Sequence, residues 1–224
     1  MSYIIIGDVH GTSYWKDIVK EYKQTDKDTV IFLGDYVDSF NIKPEQCLEN
    51  LVDLFEYTCS TPNVHMLIGN HDYHYMKHNS DRYSGYNSNW SKAYYSCFMD
   101  NYDLLKLIYI FEYNNSKYIC SHAGISNTFL NDKHTSLENI NELWKINPNV
   151  FGFNYNCVNI YGDNIQQGPL WIRPNSLLID NLIGYKQIIG HTNLDWNTTF
   201  YPNDHEKDSI TVVRSESKFG FLVL

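Results

Sequence analysis

The sequence predicts a single α/β domain in which helices flank the sheets. Three short apolar runs, rich in β-branched residues, each end in glycine followed by Asp or Asn, a pattern typical of buried strands that lead into polar loops. The segments between these runs have the apolar spacing of amphipathic helices, which gives the order β-α-β-α-β. The 224 residues, 43% of them hydrophobic, can bury a substantial core, and no linker or composition break divides residues 1–224.

The first half of the chain alternates predicted strands with predicted helices. Strands are predicted at 3–6, 29–33 and 64–68. A helix is predicted at 14–22 because Trp15, Ile18 and Tyr22 share one face. A second helix is predicted from Pro44, which suits the first helical position, to about residue 58.

The second half contains a predicted hairpin, a predicted helix and further strands. Residues 108–113 and 117–121 flank an Asn-Asn-Ser turn, which indicates a hairpin. Thr135 and Glu138 have the spacing of a capping box and predict a helix that begins there. Strands are predicted again at 185–189, 198–201, 210–214 and 220–224. The Ser-, Asn-, Tyr- and Gly-rich residues 79–90 predict a loop or the edge of a small cap at about 73–95.

Composition excludes several classes of protein. Seventeen Lys and Arg against 26 Asp and Glu give a net charge of −9, which disfavours an extended nucleic-acid surface. The start of the sequence lacks the features of a signal peptide, and no stretch approaches the roughly 20 apolar residues of a membrane span. The five cysteines contain no C-x-x-C pair, so reduced thiols in a cytoplasmic protein are expected. These cysteines are Cys47, Cys59, Cys97, Cys120 and Cys157.

Polar side chains follow five of the predicted strands. Because the carboxyl ends of parallel strands meet at one edge of a sheet, these side chains are expected in a single crevice. Two carboxylates, one amide and three imidazoles together suit two divalent first-row metals such as Mn, Fe or Zn. The six residues are Asp8, His10, Asp35, Asn70, His122 and His191.

These residues lie in five short motifs. The motifs are Gly7-Asp8-Val9-His10-Gly11, Gly34-Asp35-Tyr36-Val37-Asp38, Gly69-Asn70-His71-Asp72, Ser121-His122-Ala123-Gly124 and Gly190-His191-Thr192. In order and spacing the chain resembles the calcineurin-like metallophosphoesterases, in particular the branch of phosphoprotein phosphatases and bacterial diadenosine tetraphosphate hydrolases. The resemblance implies a four-layer α-β-β-α metallophosphoesterase sandwich of two mixed sheets.

The resemblance also implies a division of the ligands between two metal ions. Asp8 and His10 would bind the first metal and Asp35 would bridge both, while Asn70, His122 and His191 would complete the second. Manganese is the expected metal, with Fe, Zn and Ni as alternatives. Such a centre implies hydrolysis of phosphoesters by attack of a metal-bound hydroxide on phosphorus, and its positive charge would attract phosphate to an acidic protein.

Three further residues receive roles from the resemblance. His71 matches the general acid that protonates the leaving group, and Asp38 matches the carboxylate that orients it. Arg173, in a Trp-x-Arg-Pro segment like that of bacterial and phage relatives, is the candidate for binding phosphate. Eukaryotic-like phosphatases have Arg-Gly after the second motif, where this chain has Ser39-Phe40.

Several alternatives stay open at this point. The resemblance implies a phosphomonoesterase of the serine/threonine protein phosphatase type or a dinucleoside polyphosphate hydrolase. Its substrate is expected to be a phosphorylated small molecule, a nucleotide or a phosphoprotein. A phosphodiesterase or nuclease is disfavoured because Asn193 replaces the second histidine of Gly-His-x-His, and a non-catalytic scaffold is disfavoured because Asn70 and His71 are present. Taken singly, each histidine could be structural, Asp38 could cap a helix and Arg173 could form a surface ion pair. Aromatic residues near the predicted cap could pack or could stack a nucleobase, and these are Tyr73, Tyr75, Tyr83, Tyr86, Trp90, Tyr94 and Tyr95.

Overall fold

Two five-stranded sheets lie at the centre of the computed structural model, which describes residues 1–76, 82–156, 163–202, 208–214 and 220–224. The strands of the first sheet are β1 (Tyr3–Ile6), β2 (Thr29–Phe32), β3 (Val64–Leu67), β4 (Leu105–Lys106) and β10 (Phe221–Val223). Those of the second are β5 (Ile108–Tyr113), β6 (Ser116–Ser121), β7 (Tyr185–Ile189), β8 (Thr198–Phe200) and β9 (Ile210–Val212).

Both sheets are mixed. In the first, β1, β2, β3 and β4 are parallel neighbours, and β10 pairs antiparallel with β1 at one edge. In the second, β6, β7 and β9 are parallel, while β5 and β8 pair antiparallel at the two edges. The carboxyl ends of parallel strands are thus available in both sheets.

The helices lie between the strands in the chain. They are α1 (Tyr14–Tyr22), α2 (Pro44–Ser60), α3 (Asn70–Tyr73), α4 (Ser91–Asp100), α5 (Asn127–Asp132), α6 (Ile140–Ile146) and α7 (Pro174–Ile179). Short 3-10 turns occupy Tyr102–Leu104 and Pro148–Phe151. Within the described ranges no helix combines the length and the apolar character needed to cross a bilayer.

The two faces of each sheet pack differently, and this packing produces four layers. Ile5 of β1 packs in one apolar cluster with Ile188 of β7, between the two sheets. Its neighbour Ile4 faces the other way and belongs to the cluster that includes Leu51 of α2. On the far side of the second sheet, Leu177 of α7 packs against β7 and β9. The predicted α-β-β-α sandwich of two mixed sheets is confirmed.

The helix predicted from the capping-box spacing is placed wrongly. α6 begins at Ile140, five residues after Thr135, because the chain first makes a turn in which the Asn139 N–H donates to the Ser136 carbonyl. The short helices α4, α5 and α7 have no sequence prediction. α4 packs against α2, with the rings of Phe55 and Phe98 6.2 Å apart.

The small cap at about 73–95 stays a prediction. Residues 77–81 lie outside the described residues, and α4 already begins at Ser91. Tyr75 and Tyr94 are buried and in ring contact, so packing accounts for them, whereas Tyr83 reaches a cleft described below. The described cysteines are free thiols, and Cys157 lies outside the described residues, as do His78 and His205.

Candidate metal centre

The six predicted ligands come from strand ends of both sheets. Asp8, Asp35 and Asn70 follow β1, β2 and β3 of the first sheet. His122 and His191 follow β6 and β7 of the second sheet. The six side chains were expected at the edge of a single parallel sheet, but they lie where strand ends of the two stacked sheets meet.

Unusual backbone conformations hold these side chains. His10, Asp35 and His191 have φ values of 43°, 51° and 60°, in the left-handed region that non-glycine residues rarely adopt. Asp38 is also left-handed, with φ of 63°. Each such residue costs roughly 1–3 kcal/mol and persists only where surrounding structure enforces it, which is common at functional sites.

Glycines of the motifs permit the close approach of neighbouring strand ends. A Cβ at Gly69 would lie 2.1 Å from Asp35 Oδ1, and a Cβ at Gly190 would lie 2.1 Å from Asp8 Oδ1. Any side chain at these two positions would therefore displace a carboxylate of the centre.

Four of the six donor groups converge around one point. His122 Nε2 lies 2.8 Å from Asn70 Oδ1, 3.2 Å from His191 Nδ1 and 3.3 Å from Asp35 Oδ2. His191 Nδ1 lies 2.9 Å from the same Asn70 oxygen. This is the group that the family resemblance assigns to the second metal.

The other group shares Asp35. Asp8, His10 and Asp35 each offer one ligand atom, and these atoms lie within 4.8 Å of one another. His10 Nε2 is 3.7 Å from Asp35 Oδ2. Asp35 is the residue that these two groups have in common.

Backbone carbonyls fix two of the imidazoles. His10 Nδ1 lies 2.9 Å from the Val37 carbonyl oxygen, and His122 Nδ1 lies 2.9 Å from that of Leu33. A carbonyl only accepts, so each Nδ1 carries a hydrogen, and each Nε2 points to the centre and offers a lone pair there when the imidazole is neutral. A hydrogen bond from the outer ring nitrogen to a backbone carbonyl is typical of metal-ligating histidines.

The residues fit a pair of divalent cations. Asp35 and His122 are 2% and 0% exposed, so their polar atoms have little access to water. The N and O donors suit Mn²⁺, Fe²⁺ and Zn²⁺ alike. The metal identity and the ligand role of each residue stay predictions.

Charge in the centre is balanced by imidazoles. Burial by itself raises the pKa of Asp35, but the charges of His122, His71 and His10 outweigh it and hold that pKa well below the usual range. Burial lowers the pKa of His122, and the charges of Asp35 and Asp8 outweigh it and raise the value to about 9. A cation that binds here must displace such protons, which couples metal binding to pH.

His71 and Asp38 lie beside the centre as a pair. His71 Nδ1 is 3.2 Å from Asp38 Oδ2, and the His71 backbone N–H donates to Asp35 Oδ1 at 2.8 Å. The His71 ring is 5.1 Å from that of His10. Burial lowers the pKa of His71, but Asp35 and Asp38 outweigh it and raise this pKa to about 9, so the imidazole holds its proton.

Three residues that were not predicted to belong to the site support this arrangement. The Tyr75 hydroxyl donates to Asp38 Oδ1, and His74 Nε2 lies 2.5 Å from Asp38 Oδ2. The third is Asp72, which accepts backbone N–H groups of Asp35, Tyr36 and Gly69 at 2.7–2.9 Å. The signal for His74 and Tyr75 was their position one helical turn after Asn70 and His71.

Arg173 stands at the N-terminal end of α7 and lines the same cleft. Its Nη1 donates to the His191 carbonyl at 2.9 Å and to Thr192 Oγ1 at 3.3 Å. The cleft has a volume of about 390 Å³. His71 and Asn193 also line it, as do five of the six candidate ligands and four aromatic side chains.

The sequence of the chain matches a known protein family. The family model for calcineurin-like phosphoesterases matches residues 1–163. This chain belongs to that family. The calcineurin-like phosphoesterases hydrolyse phosphoesters with divalent metal ions, so the chain is a metal-dependent phosphoester-hydrolysing enzyme, and the family and enzyme class predicted from the motifs are confirmed.

Solved structures share the fold. A cold-active protein-tyrosine phosphatase of the psychrophile Shewanella sp. is 18% identical, with a TM-score of 0.63 over 100% of this chain and 75% of that one. A protein serine/threonine phosphatase from Saccharomyces cerevisiae is 17% identical, with a TM-score of 0.54 over 96% of this chain and 67% of that one. No curated protein matches this calcineurin-like phosphoesterase by sequence.

Proposed function

We propose that the protein is a phosphomonoesterase that works with two divalent cations, Mn²⁺ foremost, at the strand ends. The observation that carries the proposal is the convergence of six donor groups from two sheets on Asp35, which belongs to both ligand groups. The fold shared with two solved protein phosphatases supports the same class of reaction.

Each donor group has a place in this proposal. Asp8 and His10 would hold one cation, and Asp35 would hold both. Asn70, His122 and His191 would complete the second site, whose donor atoms lie closest together. When bound, such a pair supplies an activated water and positive charge around the phosphoryl group.

His71 would donate the proton that the leaving oxygen needs. Its Nδ1 faces Asp38, so Nε2 is the atom available to the substrate in the cleft. Asp38 keeps this imidazole protonated and oriented, and Tyr75 holds Asp38. General acid catalysis of this kind contributes typically 10²–10⁴-fold for poor leaving groups.

Arg173 would bind non-bridging oxygens of the phosphoryl group. Its side chain is held by the His191 carbonyl and the Thr192 hydroxyl, so the guanidinium reaches the cleft in a fixed position. A fixed guanidinium stabilises charge that develops on phosphoryl oxygens in the transition state. With Ser39-Phe40 in place of Arg-Gly, Arg173 would perform this role without the arginine of eukaryotic-like phosphatases.

Monoesters are favoured over diesters. Asn193 lines the cleft where nuclease-like relatives have a histidine, and the described cleft residues form no long basic track for a polynucleotide. A phosphodiesterase is therefore the second candidate.

The test compares one monoester with one diester of the same leaving group. Metal-stripped protein with Mn²⁺ restored is assayed on p-nitrophenyl phosphate and bis-p-nitrophenyl phosphate. Asp35→Asn serves as the blank, and Asp28→Asn as a matched control at the other end of β2. We expect faster cleavage of the monoester. Faster cleavage of the diester would favour the phosphodiesterase, and bound metal without either activity would favour a non-catalytic scaffold.

A further inference from the structure

One wall of the cleft is aromatic. Four side chains line it together with the candidate metal ligands. We call them the aromatic wall, and they are Tyr83, Phe153, Tyr155 and Trp171. Tyr83 lies between α3 and α4, Phe153 and Tyr155 follow the 3-10 turn Pro148–Phe151, and Trp171 lies in the segment before α7, so no single loop accounts for the pattern.

The aromatic wall begins at the metal centre and ends at the surface. The Trp171 ring lies 6.2 Å from the ring of His191 at 88°. Tyr83 and Phe153 contact Trp171 with ring centroids 4.2 and 5.3 Å away. Tyr155 continues the series at 5.1 Å from Phe153, with 65% of its surface exposed.

The base of the aromatic wall is rigid. Trp171 is 6% exposed, and its indole N–H donates to the Phe151 carbonyl at 3.1 Å. Its orientation is therefore set before a substrate arrives. A planar ring that enters the cleft meets aromatic side chains whose orientation is already set. It can pack edge-to-face or offset-stacked against them, which are the arrangements that aromatic pairs prefer.

The charge of the cleft limits the ligand. Among the described residues that line it, Arg173 is the one with a permanent positive charge. Two divalent cations and one guanidinium suit the dianion of a single phosphomonoester. A polyphosphate chain would leave further negative charge against a protein of net charge −9.

We propose that the aromatic wall binds the ring of an aryl phosphomonoester, so that phosphotyrosyl side chains are the preferred substrate class. This inference rests on the proposed function. In phosphotyrosine the ring is bonded directly to the ester oxygen, which fits a wall that starts beside a metal ligand. In a nucleotide the ribose separates the base from the phosphorus. Hydrolysis breaks the ester P–O bond, bonds the oxygen of water to phosphorus, and gives the phenolic oxygen a proton, leaving tyrosine and inorganic phosphate.

The test uses two peptides that differ only in the phosphorylated residue, phosphotyrosine or phosphoserine. With Mn²⁺ present, kcat/KM is measured for wild type, Phe153→Leu and Tyr155→Leu. The matched control is Tyr201→Leu, because Tyr201 is an exposed tyrosine that does not line the cleft. We expect each wall variant to lose roughly three- to tenfold on the phosphotyrosine peptide. The phosphoserine peptide and the Tyr201→Leu protein should change less than about twofold.

Several results would overturn the inference. Equal losses on both peptides would show that the aromatic wall stabilises the fold and does not bind the ring of the substrate. If adenosine monophosphate or diadenosine tetraphosphate outcompetes the phosphotyrosine peptide, the aromatic wall binds a nucleobase instead. Both results leave phosphoester hydrolysis intact. Failure to cleave p-nitrophenyl phosphate as well as both peptides would instead contradict the proposed function.

A pair of inhibitors separates ring binding from leaving-group reactivity. Benzylphosphonate and cyclohexylmethylphosphonate have similar size, but only the first is aromatic. We expect benzylphosphonate to inhibit p-nitrophenyl phosphate hydrolysis at roughly three- to tenfold lower concentration, and the difference to vanish in Phe153→Leu. Equal inhibition of the wild type by both compounds would contradict an aromatic subsite.

Discussion

Strand β2 has a buried aspartate at each end, and the two have opposite surroundings. Asp28, just before the strand, accepts four hydrogen bonds at 2.8–2.9 Å from the backbone and hydroxyl donors of Ser2 and Thr25. Asp35, just after it, accepts the His71 N–H at 2.8 Å and faces the imidazoles of His10 and His122. Both carboxyls have a pKa below the usual range.

Burial and a low pKa are common to both carboxyls, so these two properties do not by themselves distinguish the proposed metal ligand Asp35 from Asp28. The backbone N–H of Ser2 and the donors of Thr25 lower the pKa of Asp28 and complete its coordination with fixed groups. The partners of Asp35 are titratable, and its own backbone is left-handed with φ of 51°. Fixed donors make a structural site, whereas exchangeable protons on imidazoles leave a site that cations can occupy.

Asp35→Asn tests the comparison with the largest expected effect. The substitution removes the carboxylate that the two ligand groups share among the described residues, so kcat/KM for p-nitrophenyl phosphate should fall at least about 100-fold, more than is lost when a hydrogen-bond partner of a ligand is removed. Metal analysis after dialysis should find less Mn²⁺ than in Asp28→Asn. Wild-type activity in Asp35→Asn would contradict the claim that Asp35, unlike Asp28, is needed for activity.

His71→Asn tests whether the imidazole next to Asp35 donates a proton to the leaving group. His71 donates a backbone N–H to Asp35, which Asn can keep, but its imidazole proton is lost. kcat should fall about 100-fold for an alkyl phosphate, and much less for p-nitrophenyl phosphate, whose leaving group needs no proton. Equal losses on the two substrates would contradict the acid role.

Arg173→Ala removes the permanent positive charge that lines the cleft near Asp35. We expect kcat/KM to fall roughly 10- to 100-fold, the range of a charge-assisted hydrogen bond. Bound Mn²⁺ should stay unchanged, because a guanidinium has no lone pair to offer a cation and Arg173 Nη1 donates to the His191 carbonyl and the Thr192 hydroxyl. Unchanged kcat/KM would contradict the proposal that Arg173 binds the phosphoryl group.

Asp28→Asn carries the smallest effect on activity and the clearest effect on stability. Loss of the charged acceptor should lower the free energy of unfolding by about 1–3 kcal/mol at neutral pH with kcat/KM intact. Since the folded pKa is depressed, this contribution is present above the unfolded pKa of about 3.9 and is lost as pH falls towards the folded value. Denaturant titrations of wild type and Asp28→Asn should therefore show a smaller stability difference at pH 3 than at pH 7. A difference as large at pH 3 as at pH 7 would contradict the charge argument.

The sequence predicted the strand ends well and the surrounding helices less well. Glycine followed by Asp, Asn or His marks the ends of β1, β2, β3 and β7 because a side chain there would clash, as at Gly69 and Gly190. The capping-box spacing at Thr135 failed because a local turn precedes α6.

Roles that depend on contacts between residues distant in the chain were not predicted from the sequence. Asp72 is adjacent to His71 in the third motif, yet its bonds to the N–H groups of Asp35 and Tyr36 span more than 30 residues. The aromatic wall joins Tyr83 to Trp171, and no local periodicity connects them. Periodicity reports which face is buried, but not which distant residues share a cleft.

The most direct test of the central claim is a titration of metal-stripped wild-type protein with Mn²⁺, in which bound metal per chain and kcat/KM for p-nitrophenyl phosphate are measured on the same samples. Two ions bound per chain, with activity that rises as both sites fill, is the result expected from ligands of both sheets that share Asp35. Full activity in stripped protein, or binding of two ions without hydrolysis of any phosphoester, would contradict the claim.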